Sequence, residues 1–186
     1  GGVSKGPFAS FNLGLRTGDD PQAVAANRDR LNSLLPQQPR WLRQVHGASV
    51  VEADSLAGMP EADAGIARRP GTVCAVLVAD CVPVLLADQA GTTVAIAHAG
   101  WRGLVAPPHG VLAATVEALV VLGSKPMDIR VEVGPSIGPC HYVVDAARRK
   151  LFAARFGNDV VCREALDLRR AAVRALVDLG LDAKQI

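Results

Sequence analysis

Three side chains carry atoms that bind transition metals and stand where strands should end: His46 in QVHG, Cys81 in ADCVP and His98 in AIAHAGWRG. Imidazole nitrogen and thiolate sulfur are donors that zinc and copper accept at about 2.0–2.3 Å, and three protein ligands with a fourth position open is the catalytic zinc arrangement. Separations of 35 and 17 residues make no local motif, so only the fold can assemble the trio. A structural zinc is disfavoured, because no fourth ligand stands at a fixed short spacing. The same atoms admit a second chemistry, in which the Cys81 thiolate is a nucleophile activated by His98 or His46. They also admit an inert one, a packed thiol with two hydrogen-bonded loop histidines.

Other candidates surround these three. Asp80 lies beside the thiol in a run otherwise free of charge, where it orients an imidazole or caps local backbone amides. Arg102 sits in a Gly100–Gly103 turn four residues after His98, placed for two-pronged binding of phosphate or carboxylate, or for a loop salt bridge. The GPSIG loop, residues 134–138 with Gly134 and Ser136, follows a strand and offers amides to an anion, although it lacks the spacing of a P-loop. His109 and His141 read as surface loop residues.

The elements that must position these side chains are legible in outline. Asp20-Pro21 is an N-cap with proline at the first helical position, and the spacing predicts a helix with Val24, Leu31, Leu34 and Leu35 on one face, ended by Pro36. The Gly- and Ser-rich opening reads as irregular, with a short strand at Phe8 to Leu13. WLRQVH and SVVEAD look like a hairpin that turns after His46. TVCAVLVADC, VPVLLAD and TTVAIAH are Val/Leu runs apolar enough for strands buried on both faces of a central sheet. A helix from Gly110 to Gly123 with Val111, Leu112, Val116, Leu119 and Val120 inward, a strand at DIRVEVG, and helices near 145–156 and 165–179 complete the pattern. Interleaved strands and helices make this a single mixed α/β domain.

Composition narrows the function. Lys and Arg number 20 against 18 Asp and Glu, without clusters, so nothing suggests a nucleic-acid groove or a membrane-binding face. The longest apolar run, Val73 to Ala79, is far short of the roughly 18–20 residues of a membrane span. Four cysteines with no CxxC pair, and no signal sequence, point to a reducing cytoplasmic setting.

Taken together, QVHG (44–47), ADAG (62–65), ADCVPVLLAD (79–88), HAGWRGL (98–104) and GPSIGPCHY (134–142) closely resemble the YfiH family. Its members have been labelled multicopper polyphenol oxidases or laccase-domain proteins, and also purine nucleoside phosphorylases. The resemblance implies a layered α/β fold, a β-sandwich or mixed sheet flanked by helices. It implies a metal, usually zinc with copper possible, on His46, Cys81 and His98. It further implies phosphorolysis of adenosine, inosine, guanosine and methylthioadenosine, with adenosine deamination, and a role of the bacterial branch in editing peptidoglycan precursors. Asn12 in the family-like opening joins Arg102, Gly134 and Ser136 as substrate-binding candidates, with nucleoside and phosphate as the small-molecule partners. The copper-oxidase label fits poorly, because stepwise reduction of oxygen needs many histidines and this sequence has four.

Against the family pattern, Val143 stands where a Glu is usual, and LVAPPHG lengthens the stretch after the Trp-Arg turn. The family chain usually has an Arg before the initial Gly-Gly and continues past this end into a further strand. Residues 1–186 are therefore expected to be one YfiH-like domain lacking those pieces. Two further readings follow from the residues: a metal-free cysteine hydrolase acting through Cys81, and a non-catalytic binding protein on an enzyme scaffold.

Overall fold

In the computed structural model, which describes residues 1–186, the first helix starts as its capping residues dictate. The Gln22 N–H donates to Asp20 Oδ1 at 2.9 Å, Pro21 takes the first helical position, and α1 runs over Pro21–Asn32. It ends before Pro36, and the apolar face predicted for it is only partly used: Val24 is buried, whereas Leu34 lies past the helix end and is 81% exposed. The second residue that α1 buries is polar. Asn27 donates to Ser4 Oγ and to the Asn12 carbonyl, each at 2.9 Å, and accepts from the Val3 N–H at 2.8 Å. Those bonds explain why no strand forms at Phe8 to Leu13. The opening segment satisfies its backbone on one buried amide and in a 3-10 turn at Gly6–Phe8, and no ladder is needed.

Five strands form one mixed sheet: β1 (Val50–Glu52), β2 (Ala64–Ala67), β3 (Val82–Asp88), β4 (Val94–Ala99) and, after the helices α2 (Trp101–Val105) and α3 (Val111–Val121), β5 (Ile129–Val133). Their order is β1-β2-β4-β3-β5, with β1 and β2 parallel and every other pair antiparallel. Helix α4 (Ala146–Phe156), the ribbon strands β6 (Val161–Cys162) and β7 (Ala165–Leu166), and helix α5 (Leu168–Asp178) follow. Asp145 and Asp167 cap the two helices by accepting from the Arg148 and Arg170 N–H groups. The core lies between the sheet and α3, α4 and α5, built from Val82, Val84, Leu86, Leu112, Leu119, Phe152 and Leu176. The mixed α/β class agrees with the sequence pattern.

Three expectations change. WLRQVH and SVVEAD do not form a hairpin; β1 pairs with β2, and Arg40 and Arg43 make only isolated bridges to Cys74 and Glu61. TVCAVLVADC is not a strand beyond that bridge. The Gln44 side chain takes over at Leu77, donating to its carbonyl and accepting its N–H, both at 2.8 Å, as a neighbouring strand would. The sheet is not buried on both faces, because the helices cover one side only. On the other side Leu85 is 46% and Val94 42% exposed. Helix α3 holds its predicted place up to Gly123, with Thr115 inward and Val120 partly exposed. No helix is long and apolar enough to cross a membrane.

Asn27 is the main tie between the opening segment and α1. Asn27→Ala leaves its buried partners unpaired, and the expected loss is about 2 kcal/mol, or roughly 4–8 °C in melting temperature. A thermal melt checks this; an unchanged midpoint would mean that water replaces the amide at no cost.

Candidate metal centre

The sheet register alone brings two of the three donors together. Because β3 and β4 are antiparallel, with Val82 opposite Ala99 and Pro83 opposite His98, the start of β3 and the end of β4 share one edge. Cys81 immediately precedes the first of these strands and His98 lies near the end of the second. The chain enters β1 and β2 from that same edge, since β1 runs parallel to β2 and Ala64 pairs with Ala97. His46 precedes β1 and Asp63 precedes β2. The donor atoms of His46, Cys81 and His98 lie within 4.8 Å of one another, and the two imidazole rings meet edge-on at 4.8 Å between centroids. Tetrahedral ligands on zinc stand roughly 3.4–3.6 Å apart, so small side-chain rotations close the group around an ion.

Asp63 organises this centre. Its buried carboxylate accepts from the N–H groups of Val45 (3.2 Å), His46 (2.9 Å) and Gly47 (2.7 Å), and lies 2.8 Å from His98 Nδ1. A carboxylate only accepts, so the proton sits on Nδ1 and the Nε2 lone pair is left for a metal. The three amide bonds also hold His46 at a φ of 60°, a left-handed conformation unusual for a residue with a side chain. Sequence reading placed ADAG among the resembling motifs and gave Asp63 no role. A carboxylate between two alanines ahead of a strand was the available signal.

Gly100 is required by close approach. A Cβ there would stand 2.8 Å from Cys81 Sγ and 3.0 Å from His46 Cδ2. Gly103 is similarly tight against the Gly47 carbonyl at 3.1 Å. These glycines let α2 lie directly on the donors, so the Gly100–Gly103 segment expected as a turn is instead the entry into a short helix, with Arg102 exposed on it.

Burial, with the charges of Asp80 and Asp63, pushes the Cys81 thiol above its ordinary range. Burial also lowers His98, against the opposing pull of Asp63 and with a further push from His46. This environment does not ionise the thiol by itself, which weighs against a free cysteine nucleophile. Two imidazole nitrogens, a thiol that a cation would deprotonate, and a carboxylate behind one imidazole suit a divalent metal.

The remaining candidates divide. Asp80 is exposed beside Cys81 and bonds neither imidazole; the carboxylate that orients His98 is Asp63, because the antiparallel register sets residue 63 opposite it. Asn12 is engaged within its own loop, donating to Thr17 Oγ1 and Asp19 Oδ2 and accepting from the Gly14 N–H, so its side chain is structural. The Gly134 N–H donates to the Pro83 carbonyl and the Ile137 N–H to the Asp80 carbonyl, leaving the 134–138 loop fewer free amides than an anion nest needs. Ser136 is half-buried in that loop. His109 and His141 are exposed, the latter 2.9 Å from Cys140 Sγ. Asn12 instead lines a separate cavity of about 570 Å³ with Phe11, Arg28, Trp41, Gln44 and Val78, which none of the three donors lines.

Residues 1–186 match the family model of the multi-copper polyphenol oxidoreductase laccases. The chain is 49% identical over 154 residues to a protein of Pseudomonas aeruginosa named purine nucleoside phosphorylase, covering 83% of this chain and 61% of that protein. It is 48% identical over 160 residues to the purine nucleoside phosphorylase YfiH of Escherichia coli, covering 83% and 62%. It thus spans less than two thirds of the length of either relative. The crystal structure of a Neisseria meningitidis protein shares its fold at a TM-score of 0.81 and 34% identity, over 97% of this chain and 76% of that one.

Asp63→Asn replaces an acceptor by an amide NH₂ that faces backbone N–H donors. The expected results are a lower melting temperature and about 10–100-fold weaker zinc binding, read by competition with a chromophoric chelator. Zinc affinity equal to wild type would remove Asp63 from this role. Gly100→Ala is expected to lower zinc stoichiometry with unchanged far-UV circular dichroism; full metal loading would show that the donors tolerate the added methyl group.

Proposed function

Because the chain belongs to the multi-copper polyphenol oxidoreductase laccase family, we propose that it is a metal-dependent purine nucleoside phosphorylase whose metal is held by His46, Cys81 and His98. The observation that carries this reading is the convergence of those three donors, with Asp63 fixing the tautomer of one of them. The names of the relatives support the reaction class. Zinc is the proposed metal, since phosphorolysis moves no net electrons and a redox-inert ion serves it. When bound, such an ion supplies a Lewis acid with a free coordination position. Adenosine deamination belongs to the same proposal, as a second reaction that draws on an electrophilic centre.

In phosphorolysis the C1′–N9 bond of the nucleoside breaks and its electron pair leaves with the purine, which takes up a proton. A phosphate oxygen bonds to C1′, giving ribose-1-phosphate. The chain's part is to hold two anionic or polar reactants in contact and keep them there. Asp63 holds the His98 ring still, Gly100 leaves the space that the donors occupy, and Arg102 provides positive charge beside them. The copper-oxidase description has less support, for the protein gathers a single group of three such donors and has four histidines in all.

Cys81→Ala tests the proposal. Wild type is expected to contain stoichiometric zinc and to convert inosine with phosphate into hypoxanthine and ribose-1-phosphate. The variant is expected to lose both, and chelation followed by zinc to abolish and restore the wild-type activity. A Cys81→Ala protein that keeps its zinc and its turnover would overturn the assignment.

A further inference from the structure

Trp101 collects two cations from distant parts of the chain. Arg102 from α2 stands with its guanidinium carbon 4.6 Å from the indole centroid, and Arg148 from the first turn of α4 stands at 4.0 Å. Both guanidinium carbons therefore lie within 4.6 Å of one ring centre, so two forked oxyanion donors share a single indole. Like charges brought this close repel, and little in the protein offsets them. Arg102 has no carboxylate within ion-pair distance, and Arg148 has only Asp145, at 3.3 Å on its own helix.

The pair also lies beside the metal centre. Trp101 directly follows Gly100, whose α-carbon packs against Cys81 and His46. Tyr142 is half-buried on the segment after the 134–138 loop; burial pushes its hydroxyl above the ordinary range, and the positive charges of Arg148 and Arg102 oppose that shift. Tryptophan suits the task of holding two arginines, because its face attracts cations without neutralising them. The sequence offered Arg102 and the 134–138 loop as anion binders and gave Arg148 no role.

We propose that Arg102 and Arg148, arrayed on Trp101 with the Tyr142 hydroxyl, form one oxyanion clamp that binds the phosphate co-substrate beside the metal donors. This rests on the phosphorylase reading and adds the residues that would select phosphate. The clamp grips the oxygens that do not attack C1′ and leaves one free toward the nucleoside. Arg148 is decisive, since a single exposed guanidinium gives little affinity for an anion in water.

The test is steady-state kinetics of Arg148→Met and Arg148→Lys with inorganic phosphate and inosine varied separately. The expected result for Arg148→Met is a KM for phosphate raised about tenfold or more, with the KM for inosine within about twofold of wild type. Arg148→Lys, which keeps charge but loses the fork, should fall between. An unchanged phosphate KM, or equal rises for both substrates, would overturn the clamp. If wild type shows no phosphate-dependent turnover, the phosphorylase reading fails and calorimetric titration of zinc-loaded protein with inorganic phosphate decides the clamp separately. Binding about tenfold weaker in Arg148→Met supports it; equal or undetectable binding in both proteins overturns it.

Discussion

The buried carboxylate of Asp63 accepts from three consecutive amides, Val45 to Gly47, and from His98 Nδ1, and through those contacts it controls two of the three candidate metal donors. A charge buried without partners is unfavourable by several kcal/mol, so this one enforces its own surroundings. The loop before β1 must curl around it, and the ring at the end of β4 must turn toward it. A backbone conformation at His46 that would otherwise be disfavoured is stabilised by the same bonds.

That constraint works because of how the sheet is connected. In an all-antiparallel meander, entries and exits alternate between the two edges, and His46 and Asp63 would be separated. Here β1 and β2 are parallel, so both are entered from the edge where β3 begins and β4 ends. Four chain segments thus deliver His46, Asp63, Cys81 and His98 to one place. The glycines that open α2 let that helix approach without displacing the donors.

The same arrangement brings cations toward the candidate metal donors. Helix α2 starts where β4 ends, which sets Gly100 against Cys81 with Trp101 next in the chain, and α4 crosses near enough for Arg148 to reach the indole. Cations beside the three candidate donors are what the proposed site requires if it is to hold an anion next to a metal. The helix-covered face of the sheet supplies the rigid support for this edge, while the opposite face remains partly open at Leu85 and Val94.

How much was legible follows from the range of the interactions involved. Local rules settled α1 with its Asp20 cap, the strands VPVLLAD, TTVAIAH and DIRVEVG, and helix α3 up to Gly123, because caps, turns and periodicity act within a few residues. Residue chemistry likewise singled out His46, Cys81 and His98, whose donor types were enough to nominate them. The sequence misled where a side chain replaced a backbone partner: Asn27 in place of a strand at Phe8 to Leu13, and Gln44 in place of a ladder along TVCAVLVADC. It offered Asp80 as the orienting carboxylate through proximity in the chain, when register across the sheet made it Asp63. The sequence by itself determined which atoms were available for a metal and where α1, α3 and the strands VPVLLAD, TTVAIAH and DIRVEVG would lie. Only the tertiary structure decided that β1 and β2 run parallel, that Asp63 faces His98, and that Arg148 joins Arg102 on Trp101. Those contacts join residues far apart in the chain, and their geometry exists only once the sheet register is set.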